Sequence, residues 1–230
     1  MRRDRPLSSR SGALRRGRRA TPPGEDLAGL AAGIVAVYER QAVRFDADRS
    51  RSLFERAWLE RFLALVRPGG RVLDVGCGAG EPIAAFVAGA GHPVTGIDAA
   101  QAMLVLARAR APLGDWRVAD MHSLDLGRRF AGVVAWDSFF HLTPGAQRET
   151  LPRLAAHLEP GAPLMLTVGP AASEVVGSVG GEPVYSASLA PAEYRALLDG
   201  LGLDVLAFEP DDPGCDRHSV LLARAREDPS

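Results

Sequence analysis

The sequence contains no lysine. All 27 of its basic residues are arginine, set against 28 acids, and the net charge at neutral pH is −1. A chain so close to neutral has no overall field to draw in a polyanion or a membrane surface. Cysteine is scarce too: Cys77 and Cys215 stand alone. Two cysteines give no disulfide framework and no metal-ligand cluster, so metal-assisted chemistry is not expected. No apolar run reaches membrane-spanning length. These absences describe a cytoplasmic protein that is neither a membrane protein nor a stapled secreted domain.

What charge there is, is unevenly spread. Residues 1–20 hold eight arginines and one acid, Asp4; the remainder holds 19 arginines and 27 acids. The opening "MRRDRPLSSRSGALRRGRRATPPGED" has no hydrophobic periodicity and runs into Pro22-Pro23-Gly24, the pattern of a disordered arm. No apolar stretch follows Arg2-Arg3, which excludes a twin-arginine export signal. Residues 1–26 are therefore read as a tail, 27–226 as one domain (27–67 a helical cap, 68–226 the core), and 227–230 as a short end.

From Leu27 the periodicity becomes regular. "LAGLAAGIVAVYERQA" and "RSLFERAWLERFLALV" repeat apolar residues every three or four positions, the signature of two amphipathic helices, with "VRFDADRS" as a polar connection. After Pro68-Gly69-Gly70, strand and helix candidates alternate: "RVLDV", "EPIAAFVAGA", "PVTGID", "AQAMLVLARARA", "DWRVAD", "AGVVAW", "PGAQRETLPRLAAHL", "APLMLTV" and "PAEYRALLDGLG". Then come "DVLAFE" and "HSVLLARA", joined by a link too short for a helical crossover. The pattern predicts an α/β fold, a Rossmann-like, seven-stranded, mostly parallel sheet with helices on both faces and an antiparallel last strand. The connection from Val168 to Ser188 is read as a mobile flap.

The least ordinary stretch is "VLDVGCGAGEP", which follows the first strand. Gly76, Gly78 and Gly80 clear side chains from every second position, leaving room for a ligand against bare backbone. Glu81 falls where a dinucleotide-binding loop needs its third glycine. With Asp74 close by, that acid favours a cationic ligand over a diphosphate. Asp98 ends the next strand, where an acid can accept from both ribose hydroxyls. Asp120-Met121 ends the third, where a carboxylate can accept from an adenine amino group. An adenosine with a positively charged tail fits this set.

"VLDVGCGAG", "VTGIDAAQAML" and "VADM", in this order, resemble the motifs of class I S-adenosylmethionine-dependent methyltransferases over roughly residues 27–225. The resemblance implies S-adenosylmethionine as cofactor, S-adenosylhomocysteine as product, and no metal. It implies that Asp74, Gly76, Cys77, Gly78 and Gly80 face the methionine part. Asp98, with Ala99 beside it, would hold the ribose, and Asp120 and Met121 the adenine. Met103 and Trp136 complete the cofactor set.

Substrate and catalytic candidates lie at the end of the fourth strand and in the cap. "AWDSFFHLTP" lacks the Pro-Pro-aromatic sequence of nucleic-acid amino methyltransferases and resembles small-molecule enzymes, in which an aromatic pair and an acid of the cap close over the site. Tyr38, Phe45 and Asp46 match those places. Tyr38, Phe45, Phe139 and Phe140 are the expected acceptor contacts; His141, Asp137, Tyr185 and His218 are the candidate acid–base groups. The expected reaction is in-line methyl transfer to an oxygen or nitrogen of a small molecule, by a monomer or homodimer. Other S-adenosylmethionine chemistry, a non-catalytic binding module and nucleic-acid methylation guided by the basic tail stand as alternatives.

Overall fold

The computed structural model describes residues 26–227. The expected N-terminal arm, up to residue 25, and the last three residues lie outside the described residues. The described chain opens with α1 (Leu27–Ala32) and α2 (Ile34–Asp48), separated at Gly33, and then α3 (Arg56–Leu63). The core follows as β1 (Val72–Val75), α4 (Ile83–Gly89), β2 (Val94–Asp98), α5 (Gln101–Arg110), β3 (Asp115–Val118), β4 (Gly132–Ala135), α6 (Pro144–Ala156) and β5 (Pro163–Val168). It continues with β6 (Ser173–Val179), β7 (Glu182–Ser188), α7 (Pro191–Gly200), β8 (Leu203–Asp212) and β9 (His218–Ala225).

Seven strands form one sheet in the order β3-β2-β1-β4-β5-β9-β8. β1 to β5 pair in parallel, while β9 runs antiparallel to both β5 and β8. The expected terminal hairpin is therefore present, with β8 at the sheet edge. Strand order reverses between β1 and β4, which puts the ligand crevice of such a sheet beyond the ends of β1, β2 and β4. One face is covered by α6 and α7 through Leu151, Leu154, Tyr194 and Leu198. The other is covered by α3 and α4 through Trp58, Phe62, Ile83 and Val87. Among the described residues no helix is long and apolar enough to cross a membrane.

Two segments differ from expectation. The polar stretch "VRFDADRS" is no connection, because α2 continues through it to Asp48. Tyr38, Ala42 and Phe45 extend the apolar stripe of α2 onto Ala100 and Met103, at and just inside the start of α5. That burial outweighs the polar residues on the helix's other faces. The segment expected to be a flap is instead a β-hairpin in register, Val179 opposite Glu182. Gly180 and Gly181, with φ of 60° and 90°, make its two-residue turn, which only glycine-like residues build without strain. The hairpin packs on α2 through Val179, Val184 and Val37. Arg40 and Gln41 both reach Glu182 at its tip, and Arg44 donates to the Gly180 carbonyl.

The α3 contact tests the core directly. Phe62 is fully buried, and a Cβ added at Gly132 of β4 would lie 2.8 Å from its ring. The helix thus lies as close to the sheet as a bare strand position allows. Phe62→Ala should lower unfolding free energy by about 3–5 kcal/mol, read as a lower urea midpoint with an unchanged slope.

Candidate functional site

The site begins where β1 ends. The N–H groups of Gly76 and Cys77 both donate to the Ile97 carbonyl, at 2.8 and 2.9 Å, which turns the chain off the strand. Gly76 has φ of 73°, and a Cβ there would sit 2.3 Å from that of Ser138. Glycine is thus needed both for conformation and for the close approach of the β4 end. The Gly78 N–H donates to Asp98 Oδ2 at 2.9 Å, and Asp98 Oδ1 accepts from Ala100 N–H at 2.8 Å. Nothing stands within 4 Å of a Cβ built on Gly78, so its backbone is open to a ligand.

Above these strand ends lies a cavity of about 570 Å³. Its floor includes Asp74, Gly76, Cys77 and Gly78 from the β1 turn. Asp98, Ala99 and Met103 come from the β2 end and α5, and Asp120 and Met121 from the β3 end. Trp136, Asp137 and His141 contribute from beyond β4, and Tyr38 and Phe45 of α2 form part of the roof. With Asp46, which α2 also contributes, fifteen of the residues picked from sequence share one cavity.

Five others stand off its wall. Gly80 packs on Trp116, 3.0 Å from where its Cβ would be. Phe139 is sealed in the core below, and Phe140 packs its ring against His141. The Tyr185 side chain is buried in the hairpin and donates to Glu174. Burial first, and that bond second, push its hydroxyl well above the usual tyrosine range. His218 lies behind Asp137, its Nε2 3.0 Å from Oδ1.

Arg49 was not legible as a site residue. It is the arginine that lines the cavity among the described residues, at the C-cap of α2. It donates to Glu55 at 2.8 Å and lies 3.8 Å from Asp137. A helix taken to stop at Ala42 hides it; once α2 runs to Asp48, the next residue falls over the glycine turn. Asp46 and Glu81 line the cavity too. Arg51 bridges them at 2.9 Å to each, and Arg110 of α5 joins the same network, fastening the cap to the core.

Burial governs the electrostatics. Asp74 is 2% exposed, and its Oδ2 has no hydrogen-bond partner. Desolvation first, and the Asp98 charge second, push its carboxyl up to about 7. Asp98 is raised mainly by burial, against the pull of its two backbone donors. His141 Nδ1 faces the Tyr185 carbonyl at 2.7 Å, an atom that can only accept, so Nδ1 carries the proton. Nε2 then accepts from the Tyr38 hydroxyl at 2.8 Å. Desolvation lowers the His141 pKa and holds the ring neutral, while burial raises that of Tyr38 far above its ordinary value. The arrangement offers carboxylates suited to a cation and a neutral imidazole at the opposite end. Among the described residues no group of three or more His, Cys, Asp or Glu could hold a metal ion.

Residues 72–161 match the family model of a methyltransferase domain. No curated protein matches the chain in sequence. Solved structures of similar fold include a 1,6-didemethyltoxoflavin-N1-methyltransferase from Burkholderia thailandensis, with bound 1,6-didemethyltoxoflavin and S-adenosylhomocysteine. It shows 20% identity over 90% of this chain and 94% of that one, with a TM-score of 0.67. An S-adenosylmethionine-bound amino pentose methyltransferase from Micromonospora echinaspora shows 21% identity over 80% and 95%, with a TM-score of 0.61. A methyltransferase from Streptomyces caelestis shows 22% identity over 79% and 92%, with a TM-score of 0.62.

The raised Asp74 carboxyl makes stability depend on pH. The folded chain keeps a proton that the unfolded chain releases between the ordinary carboxylate value of 3.8 and about 7. Stability from this group is therefore present at low pH and lost as pH rises toward 7. Asp74→Asn keeps the neutral shape throughout. It should be more stable than wild type at pH 8, by a margin of a few kcal/mol that shrinks toward pH 5, as read by urea unfolding at the two pH values.

Proposed function

We propose that the chain is a class I S-adenosylmethionine-dependent methyltransferase that transfers the methyl group to a nitrogen or oxygen of a small-molecule acceptor held under the helical cap; the methyltransferase-domain match over residues 72–161 supports the class. The observation that carries this reading is the continuity of the cavity, from the Asp98 carboxylate past the bare Gly76–Gly78 backbone to the Tyr38–His141 pair. When bound, the cofactor supplies a methyl group already activated on a sulfonium.

The chain's own groups then hold, orient and take up a proton. We assign Asp98 to the ribose hydroxyls. Its two oxygens each take one backbone N–H, which leaves further lone pairs for a ligand. Asp120 and Met121 are assigned to the adenine, with Ala99 and Met103 as walls. Cys77 and Trp136 border the methionine part. Asp74 suits the ammonium of that tail, because a cation offsets the charge that burial disfavours. Arg49, with guanidinium donors left over from Glu55, suits the tail's carboxylate.

On the acceptor side, Tyr38 and Phe45 form the roof and His141 is the base. Its Nε2 can take the acceptor's proton directly, or through Tyr38. In the second case the phenol passes its own proton to Nε2 as it receives the acceptor's. The Nδ1–H stays on the Tyr185 carbonyl throughout, so the imidazolium that forms keeps both donors satisfied. Displacement at an activated carbon needs mainly alignment, with a base for acceptors that react from a protonated state.

A small acceptor is supported by a cavity of about 570 Å³ roofed by α1 and α2, within the size range of small-ligand sites. Among the proteins of similar fold, one is an amino pentose methyltransferase and another holds bound 1,6-didemethyltoxoflavin; both compounds are small molecules.

Calorimetry with S-adenosylmethionine and S-adenosylhomocysteine is the test. Wild type should bind both, and Asp98→Asn should lose at least about tenfold in affinity, the value of a charged hydrogen bond. His141→Gln should keep cofactor binding. With an acceptor found by label transfer to amines, amino sugars and phenols, it should lose about 10²–10⁴-fold in turnover. Absence of cofactor binding in the wild-type protein would sink the reading.

A further inference from the structure

Behind the cavity wall sits a second histidine whose environment differs from that of His141. His218 is nearly fully buried at the start of β9. Its Nδ1 lies 2.9 Å from the Cys215 carbonyl oxygen, and its Nε2 lies 3.0 and 3.3 Å from the two oxygens of Asp137. A carbonyl oxygen accepts only, and so does a carboxylate. A neutral imidazole has one N–H and cannot serve both. The ring also stacks against Trp136, at 5.5 Å and 23°, and against Phe54, at 5.1 Å and 32°. The Arg49 guanidinium lies over the same Phe54 ring at 5.4 Å. Aromatic faces favour cations in this way.

The charges around the ring agree. Asp137 comes from beyond β4, Arg49 from the end of α2, and Glu55 from the turn before α3. The side chains of Asp137, Arg49, Glu55 and His218 are 10%, 13%, 0% and 6% exposed. With His218 protonated, two buried anions meet two buried cations. With it neutral, one anion is left over, and an uncompensated buried charge is strongly destabilising. Asp212 and Asp216, in the turn that leads from β8 into β9, add negative charge near Cys215, and Asp212 also accepts from Trp58 Nε1 at 2.7 Å. The acids from beyond β4, before α3 and in the β8–β9 turn thus favour the imidazolium, against burial and the nearby Arg49 charge.

We propose that His218 is a positioning residue: held as an imidazolium, it fixes the Asp137 carboxylate at the cavity wall and through it sets the field at the Tyr38–His141 pair. Asp137 is held on three sides. Its N–H donates to Thr167 Oγ1 at 2.7 Å, its φ of 52° turns it out of the strand path, and its oxygens face His218 and Arg49. Its charge raises the pKa of His141 against the effect of burial and helps keep the Tyr38 hydroxyl protonated. The importance of that field for turnover rests on the methyl-transfer reading; the charge state and the field do not.

The test is ¹⁵N NMR of the histidine rings in the ligand-free full-length protein, with the His218 signals assigned by their absence in His218→Gln. Both His218 ring nitrogens should be protonated at pH 7.5. The His141 titration should move in opposite directions in two variants. Asp137→Asn removes the anion and should lower the titration point, by about half a pH unit or more. His218→Gln keeps a hydrogen-bond donor but removes the cation that offsets Asp137, and should raise it. A purely structural role predicts no such reversal. An unprotonated His218 nitrogen at pH 7.5, or a His141 titration that stays put or shifts the same way in both variants, would overturn the proposal. Should His218→Gln fail to fold, the wild-type spectrum, assigned through Asp137→Asn, still decides. S-adenosylhomocysteine binding in the same samples tests the methyltransferase reading separately: its absence, with the NMR result intact, would sink that reading and leave this one.

Discussion

Burying a carboxylate without a cation is unfavourable, and the strand ends of this sheet do it twice, at Asp74 and Asp98. Both carboxyls are pushed up, chiefly by desolvation. Backbone donors offset part of the effect at Asp98, and one oxygen of Asp74 has no donor. Such a site costs stability when empty and gains from a ligand that brings positive charge. The sheet makes this possible. β1 is enclosed between β2 and β4, so the end of its chain can be dry and still open upward onto the cavity. The glycine turn is the geometric counterpart: with no side chain at Gly76 or Gly78, a ligand can reach those carboxylates across bare backbone.

The cap answers the same constraint from above. Helix α2 reaches the core at both ends. Near its start Tyr38 meets His141, and near its C-terminus Asp46 joins the arginines that also hold Glu81. Individually, such exposed ion pairs contribute little. As a network spanning α2, α5 and the glycine turn, they set where the roof sits. The hairpin adds a brace on the far side, since Glu182 at its tip takes both Arg40 and Gln41. The same hairpin supplies the Tyr185 carbonyl that fixes the His141 tautomer. One two-stranded element therefore holds the roof and orients the imidazole beneath it.

Much of this was legible in the residues, and the reasons for the rest are physical. Alternating strand and helix patterns, with acids at successive strand ends, lead to the mostly parallel sheet with its antiparallel last strand and to Asp74, Asp98 and Asp120. Pattern alone does not tell Gly76 from Gly80: one meets Ser138 at the cavity floor and the other meets Trp116, a distinction made by tertiary contact. The extent of α2 was hidden because only Phe45 of its last turns is large and apolar, and Arg49 was hidden with it. The hairpin did carry a signal, Gly180-Gly181 between alternating runs, that was outweighed by the glycines and prolines around it. Tyr185 was a candidate for its hydroxyl, yet its main-chain carbonyl is what reaches His141. Every residue has such a carbonyl, so sequence gives no hint of which one matters.

The two histidines near the cavity show how far environment, not residue type, decides chemistry. Each directs Nδ1 at a main-chain carbonyl. They differ in what faces Nε2: a hydroxyl that can donate at His141, and a carboxylate that can only accept at His218. The first arrangement is satisfied by a neutral ring whose Nε2 lone pair accepts from the Tyr38 hydroxyl, the second by a ring that already carries two protons. Asp137 lies between them and touches the problem from both sides. Its charge draws a proton toward His141, while His218 and Arg49 draw that charge back toward the wall. A methyl acceptor that reacts as a free amine or alkoxide-like oxygen needs a base that is neutral before the step and tolerates a proton after it. For the proposed transfer, the balance around Asp137 meets that need while the charge of Asp137 itself stays paired at the wall.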